Sequence, residues 1–284
     1  MATFYRPETL REALELMGTY AGTIRPLAGG TDLMVHLREQ SRKVQGITRF
    51  MDIARLPQLH GMCVEEGELC IGAGVSHTEI AASPLVRQYV GALCDASGSV
   101  GSPQIRNSGT IGGNVCNGSL AADTLSVLTA VDARLELHST AGVRLVKMAG
   151  LHQGRGKLDI QPNELLVRLR LPILEGYRFA FLKLGRRKAL AISRMNMAVA
   201  VKLQDGVMVD VRIAPGCVFS QPERAGAAEA LLRGRKPDAQ LLEQAGKAVS
   251  AQMIERTGIR WSTEYKQPVV EALTVRALRA ALEG

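Results

Sequence analysis

Two Gly-Gly pairs far apart in the chain, Gly29-Gly30 and Gly112-Gly113, constrain this sequence more than any other feature. The first lies in Pro26-Leu27-Ala28-Gly29-Gly30-Thr31-Asp32, between a strand pattern, Ile24 to Ala28, and a helix pattern, Leu33 to Gln40. Glycines there let the backbone turn sharply and leave its N–H groups uncovered. With a helix N-terminus behind them, those groups form a cradle for a phosphate. Thr31 adds a hydroxyl donor and Asp32 can cap the helix; a plain strand-to-helix turn with an N-cap would read the same way. The second pair lies in Ser102-Pro103-Gln104-Ile105-Arg106-Asn107-Ser108-Gly109-Thr110-Ile111-Gly112-Gly113-Asn114, where Asn114 can support left-handed backbone or donate its amide. Two cradles suit a ligand with two linked phosphates better than a mononucleotide. Gly72-Ala73-Gly74 lacks the third glycine of a dinucleotide fingerprint and follows a hairpin strand, and no GxxxxGK[ST] sequence exists.

The remaining patterns organise the chain around these turns. Leu10, Ala13, Leu14 and Met17 recur at helical spacing after Pro7. Ile47 to Ile53 reads as a strand, so strand, turn, helix and strand form a βαβ unit with a parallel crossover. From about 58 to 175 short strands alternate. Met62 to Ile71 turns at Glu65-Glu66-Gly67, and Leu135 to Leu145 turns through Ser139 to Gly142, with a helix over Pro84 to Ser99 between them. Beyond 175, Val199 to Ile213 spells a hairpin through Asp205-Gly206. Helices then begin near Pro237-Asp238 and after Pro268. Charge divides the chain at the same place. Residues 1–175 hold 17 Lys and Arg against 17 Asp and Glu; the totals of 35 and 27 leave 18 against 10 for 176–284, which is the whole net charge of +8. The expected domains are therefore 1–175, with parts at about 1–57 and 58–175, and 176–284.

Composition excludes several classes. At 46% apolar and 22% charged residues the chain is an ordinary globular one. No apolar run reaches the length of a membrane helix, and the start shows no signal-peptide core. Five scattered cysteines (Cys63, Cys70, Cys94, Cys116, Cys217) argue against a disulfide framework and for a cytoplasmic setting. A basic C-terminal part with only 4% aromatics and no nucleic-acid motif does not point to nucleic acid. The histidines (His36, His60, His77, His138, His152) have no metal-ligand spacing, so no metal site is expected.

Taken together, AGGTD at 28–32, SPQIRNSGTIGGN at 102–114 and AAD at 121–123 resemble the FAD-binding subunit of the xanthine dehydrogenase and carbon monoxide dehydrogenase family of molybdenum hydroxylases, along essentially the whole chain. The resemblance implies an α+β chain, with a two-part FAD-binding domain of the vanillyl-alcohol-oxidase (PCMH) type. A smaller α+β domain with a three-stranded antiparallel sheet and helices follows it. It implies that Arg25, Pro26, Leu27, Ala28, Gly29, Gly30, Thr31 and Asp32, with Thr110, Ile111, Gly112, Gly113 and Asn114, hold FAD, the two turns taking its pyrophosphate. Asp123, at the head of the apolar run Leu125, Val127, Leu128 and Ala130, would accept from the flavin or its ribityl chain; an N-cap is the other reading of that residue. Leu166 and Lys183 would border the flavin ring, and a lysine at the N1–O2 edge would stabilise anionic reduced flavin.

FAD would be noncovalent. A [2Fe-2S] small subunit and a molybdopterin large subunit would complete a hetero-oligomer, and electrons would pass to NAD+. A related hydroxylase acting on another N-heterocycle, an aldehyde or carbon monoxide, and a nucleotide-binding module without flavin, are the alternatives. The run Lys183, Arg186, Arg187, Lys188 and Arg194, with no acid between, suits an anionic dinucleotide, an acidic partner or a solvated face.

Overall fold

The structure is a computed structural model, which describes residues 2–153, 157–187 and 190–283; Lys188 and Ala189 of the basic run lie outside the described residues. The chain opens with β1 (Thr3–Tyr5), α1 (Leu10–Thr19), β2 (Ile24–Leu27), α2 (Leu33–Arg38) and β3 (Arg49–Asp52). The strands form a parallel sheet in the order β1-β3-β2. Helix α1 starts where the Thr9 hydroxyl accepts from the Glu12 amide, and it turns Ala13 and Met17 onto Ile24 and Met51. Strand β1 has no sequence signature: three residues are too few for periodicity, and pairing with β3 makes it a strand.

Next come β4 (Met62–Glu65), β5 (Glu68–Gly72), α3 (His77–Ala82), α4 (Pro84–Gly98), α5 (Pro103–Ser108), α6 (Ile111–Asn117), α7 (Asp123–Ala130), β6 (Arg134–Ser139), β7 (Gly142–Lys147) and β8 (Leu165–Pro172). Their five-stranded antiparallel sheet runs β4-β5-β8-β6-β7. Leu169 and Leu171 of the central β8 face the core, while Arg168 and Arg170, on the other face, pair with Glu65, Glu68 and Glu136. The stretch read as a second glycine turn is a helix–turn–helix. Gly112, Gly113 and Asn114 lie inside α6, so Asn114 is helical rather than left-handed.

The last part holds β9 (Tyr177–Gly185), β10 (Ser193–Gln204), β11 (Val207–Gly216), α8 (Gly226–Leu232), α9 (Ala239–Thr257) and α10 (Thr263–Glu283). The antiparallel order is β11-β10-β9, and the β10–β11 turn uses positive φ at Asp205 and Gly206. One face of this sheet, with Ala180, Met195, Met197 and Val199, packs on the three helices. The other carries Phe181, Ala198 and Ala214 into the core shared with α4 and α7. Helix α10 starts at Thr263, not after Pro268. The proline gives up one amide bond inside the helix, and the burial of Val270, Leu273 and Ala277 against α9 outweighs that loss.

Candidate functional site: a cavity between two glycine turns

The two glycine segments meet. A Cβ on Gly29 would overlap the carbonyl oxygen of Ser108 and stand 3.1 Å from the Gly109 Cα; one on Gly112 would lie 2.6 Å from the Ala73 Cβ. These glycines therefore let one chain segment lie directly on another. Gly30 differs: it holds φ +69°, which favours glycine on backbone grounds. Above the seam opens a cavity of about 580 Å³, within the range of sites that bind cofactor-sized molecules.

All the residues from Arg25 to Asp32 line it, as do Thr110, Gly112, Gly113, Asn114 and Leu166. Ile111 faces the core instead and is fully buried. The donors on the two sides differ. On the α6 side, the amides of Ile111, Gly112, Gly113 and Asn114 already bond to Val75 O, Ala73 O, Thr110 Oγ1 and Thr110 O. Asn114 Oδ1 accepts from the Thr124 hydroxyl at 2.6 Å, which leaves the amide nitrogen of Asn114 as that residue's remaining donor. On the α2 side, the Asp32 side chain makes no cap bond, so the expected N-cap is not formed.

Residues that sequence reasoning set aside complete the wall. Lys43 Nζ reaches Asn117 O at 2.9 Å and its Oδ1 at 2.8 Å, and Arg25 donates to the Lys43 carbonyl. His36 stands 3.4 Å from the same Asn117 Oδ1. Cys116 lines the cavity as an exposed free cysteine. His77 also lines the cavity, buried to 2% exposure, with Nδ1 lacking a partner. None of these carries a local motif. Only the fold brings them together.

Asp123 and Lys183 are not on the lining. Asp123 is the first residue of α7, with Ala122 in the cap position. Its carboxylate accepts from Lys183 Nζ at 2.5 Å, Ser99 Oγ at 3.1 Å, Ser193 Oγ at 2.5 Å and Asn196 Nδ2 at 3.3 Å. Lys183 shares a strand face with Phe181, and Asn196 shares one with Ala198, so the period of two aims both at α7. A register shift between Ser193 and Met195 re-aims Ser193 onto the same carboxylate. The cluster sits just behind the cavity wall: Lys183 also donates to Ser99 O, the neighbour of cavity-lining Val100, and Asn114 bonds the neighbour of Asp123. Among the described residues no three His, Cys, Asp or Glu side chains group as a metal site, and no helix is long and apolar enough to cross a membrane.

An α+β chain with a glycine-lined cavity, and with a sheet-and-helix part packed on α4 and α7, suits a cofactor-binding protein, and comparison with known proteins identifies the family. Residues 1–174 match the FAD binding domain in molybdopterin dehydrogenase, and residues 180–281 match the CO dehydrogenase flavoprotein C-terminal domain. The chain belongs to this family, the FAD-binding subunits of molybdenum hydroxylases, and is a subunit of an oxidoreductase. It is 32% identical to the xanthine dehydrogenase FAD-binding subunit of Escherichia coli O157:H7, over 99% of this chain and 96% of that one. It is 33% identical to the nicotinate dehydrogenase FAD-subunit of Eubacterium barkeri, over 95% and 92%. Among solved structures, carbon monoxide dehydrogenase from Hydrogenophaga pseudoflava superimposes with a TM-score of 0.91 at 29% identity, covering 99% of this chain and 97% of that one.

The residues present fit FAD. The cavity is large and mostly apolar, with the cations Arg25, Lys43 and Lys157 and the carboxylates Asp32 and Glu164 on its lining, and Gly30 and Gly113 add no side chain at the seam.

Proposed function

We propose that this chain is the flavin subunit of a xanthine dehydrogenase-like hydroxylase, taking electrons from a [2Fe-2S] subunit and delivering them to NAD+, with substrate oxidised on a molybdopterin subunit. The observation that carries the reading is that both glycine segments, the turn before α2 and the start of α6, open into one cavity. The likeness to the xanthine dehydrogenase FAD-binding subunit supports the choice of partners and acceptor. A cytoplasmic setting goes with it, as does a division into domains 1–175 and 176–284.

FAD, when bound, supplies the exchange between a one-electron donor and a two-electron acceptor. The chain supplies position and charge. The seam from Ala28 to Asp32, with Thr110, Gly112, Gly113 and Asn114, holds the diphosphate, and Arg25, Pro26 and Leu27 form the approach. Leu166 gives an apolar wall for the ring, and FAD is held without a covalent bond. Asp123 and Lys183 fix the charge of the wall behind Val100 and Asn114, where Lys183 keeps its cation close to the cavity although Asp123 neutralises it. No side chain of this chain is assigned an acid–base role.

The test is the visible spectrum of the purified chain with FAD, before and after anaerobic NADH. Bands that bleach support the NAD+ reading. Bands that persist keep the flavin and move the acceptor elsewhere. A chain that takes up no FAD overturns the proposal.

A further inference from the structure

We propose that His77 is a further binding residue of this site, its imidazole hydrogen-bonding a phosphate oxygen of the diphosphate held at the glycine seam. This rests on the FAD reading above. The first observation is a missing partner. A buried imidazole normally spends both nitrogens on the protein, and a buried polar atom without one is costly. His77 is 2% exposed, yet its Nδ1 has no partner. The fold does not need a nitrogen there, because the local structure is made by other atoms: the His77 amide donates to Gly109 O, and α3 is capped by Ser76 with Glu79.

The second observation is where the ring stands. A Cβ on Gly109 would lie 2.9 Å from Ile105 O, 3.4 Å from His77 Cδ2 and 3.5 Å from Thr31 Oγ1, so the imidazole and the Thr31 hydroxyl stand together, beside the Ile105 carbonyl, at the junction of the two glycine segments. Both residues line the cavity. A half-turn about Cβ–Cγ exchanges Cδ2 with Nδ1 and puts a nitrogen on that edge with little change of ring shape.

The third observation is a shortage of donors. The four amides from Ile111 to Asn114 are committed within the protein, so an anion on that side depends on side chains. His77 is the partnerless one beside Gly109. Burial and the Arg106 charge hold its pKa at about 4, which keeps the ring neutral near pH 7, with one N–H to give. Arg106 itself is tied to Val100 O and Gly101 O.

The experiment compares the full chain with His77→Phe, which fills the same space without nitrogens, and with His77→Gln, which returns a donor. FAD and ADP are titrated by fluorescence and calorimetry. His77→Phe is expected to weaken both about ten- to a hundred-fold, the usual worth of a hydrogen bond to a charged group, with the flavin-free stability unchanged or raised; His77→Gln is expected to recover part of the loss. In the wild type, the His77 Cε1–H resonance should move on adding ADP and stay put on adding riboflavin, which has no phosphate.

Wild-type affinity in His77→Phe would overturn the proposal while leaving the FAD reading intact. A loss of flavin-free stability in His77→Phe together with no ADP-induced shift of the wild-type His77 resonance would make His77 structural and overturn it too. If the variants do not fold, the wild-type resonance decides alone. A wild-type chain that binds neither FAD nor ADP would remove both readings.

Discussion

At Gly29 a Cβ would overlap the Ser108 carbonyl, and at Gly112 it would stand 2.6 Å from the Ala73 Cβ, whereas at Gly113 the nearest atom is the Thr110 hydroxyl at 3.0 Å. The glycines of one motif thus answer to different demands. Gly29→Ala and Gly112→Ala should each cost about 2 kcal/mol or more, because backbone must move, while Gly113→Ala should cost less. Urea unfolding of the three variants without FAD checks the order. His77 makes a second residue-scale prediction. Its pKa is lowered from 6.5 to about 4, so between those values the unfolded chain binds more protons and stability falls as pH falls. Unfolding measured from pH 7 to pH 4 should show that slope, and His77→Phe should flatten it. His152, also pushed down by burial, keeps its share in both proteins.

Between elements, the Asp123 cluster joins α7 and the end of α4 to β9 and β10. Asp123 is buried and Lys183 nearly so, with side-chain exposures of 5% and 16%. Removing the cation alone strands a carboxylate in a low-dielectric site. Lys183→Met should therefore destabilise by about 3–5 kcal/mol, and Lys183→Met combined with Asp123→Asn should recover much of that loss. Thermal and urea unfolding of the cycle decide it; additive losses would mean that the pair is not coupled. With FAD bound, Lys183→Ala should also lower the flavin potential if the cation acts through the wall, and an unchanged potential would confine it to holding the elements together.

For the whole molecule, ligand and fold are linked. A cavity assembled from turns far apart in sequence exists only in the folded chain, so FAD must bind the native state and raise its stability. At a hundred times its dissociation constant the gain should be about 2.7 kcal/mol, visible as a higher Tm. Gly30→Val and Gly113→Val should lose this FAD-dependent rise, because a branched side chain would crowd the cavity wall. Gly30 already holds φ +69° with the Leu27 side chain 3.1 Å from its Cβ position, so Gly30→Val should also lower the flavin-free Tm.

The elements that read clearly in the sequence were those with their own periodicity and punctuation: α1, the β4–β5 and β6–β7 hairpins, the Asp205-Gly206 turn and the α9 face. Strand β1 and the true start of α10 were not legible, since pairing with β3 and burial against α9 decide them. The candidate site divides the same way. Glycine pairs beside threonines are local patterns and marked both turns, along with their resemblance to a flavin-binding family. Three facts depend on contacts between distant segments: that the α6 amides are already spent, that Asp123 meets Lys183 across 60 residues, and that His77 stands partnerless against Gly109. Short-range patterning records which face of an element is apolar, but not which polar atom waits on the other side of a cavity; only the packed chain decides that.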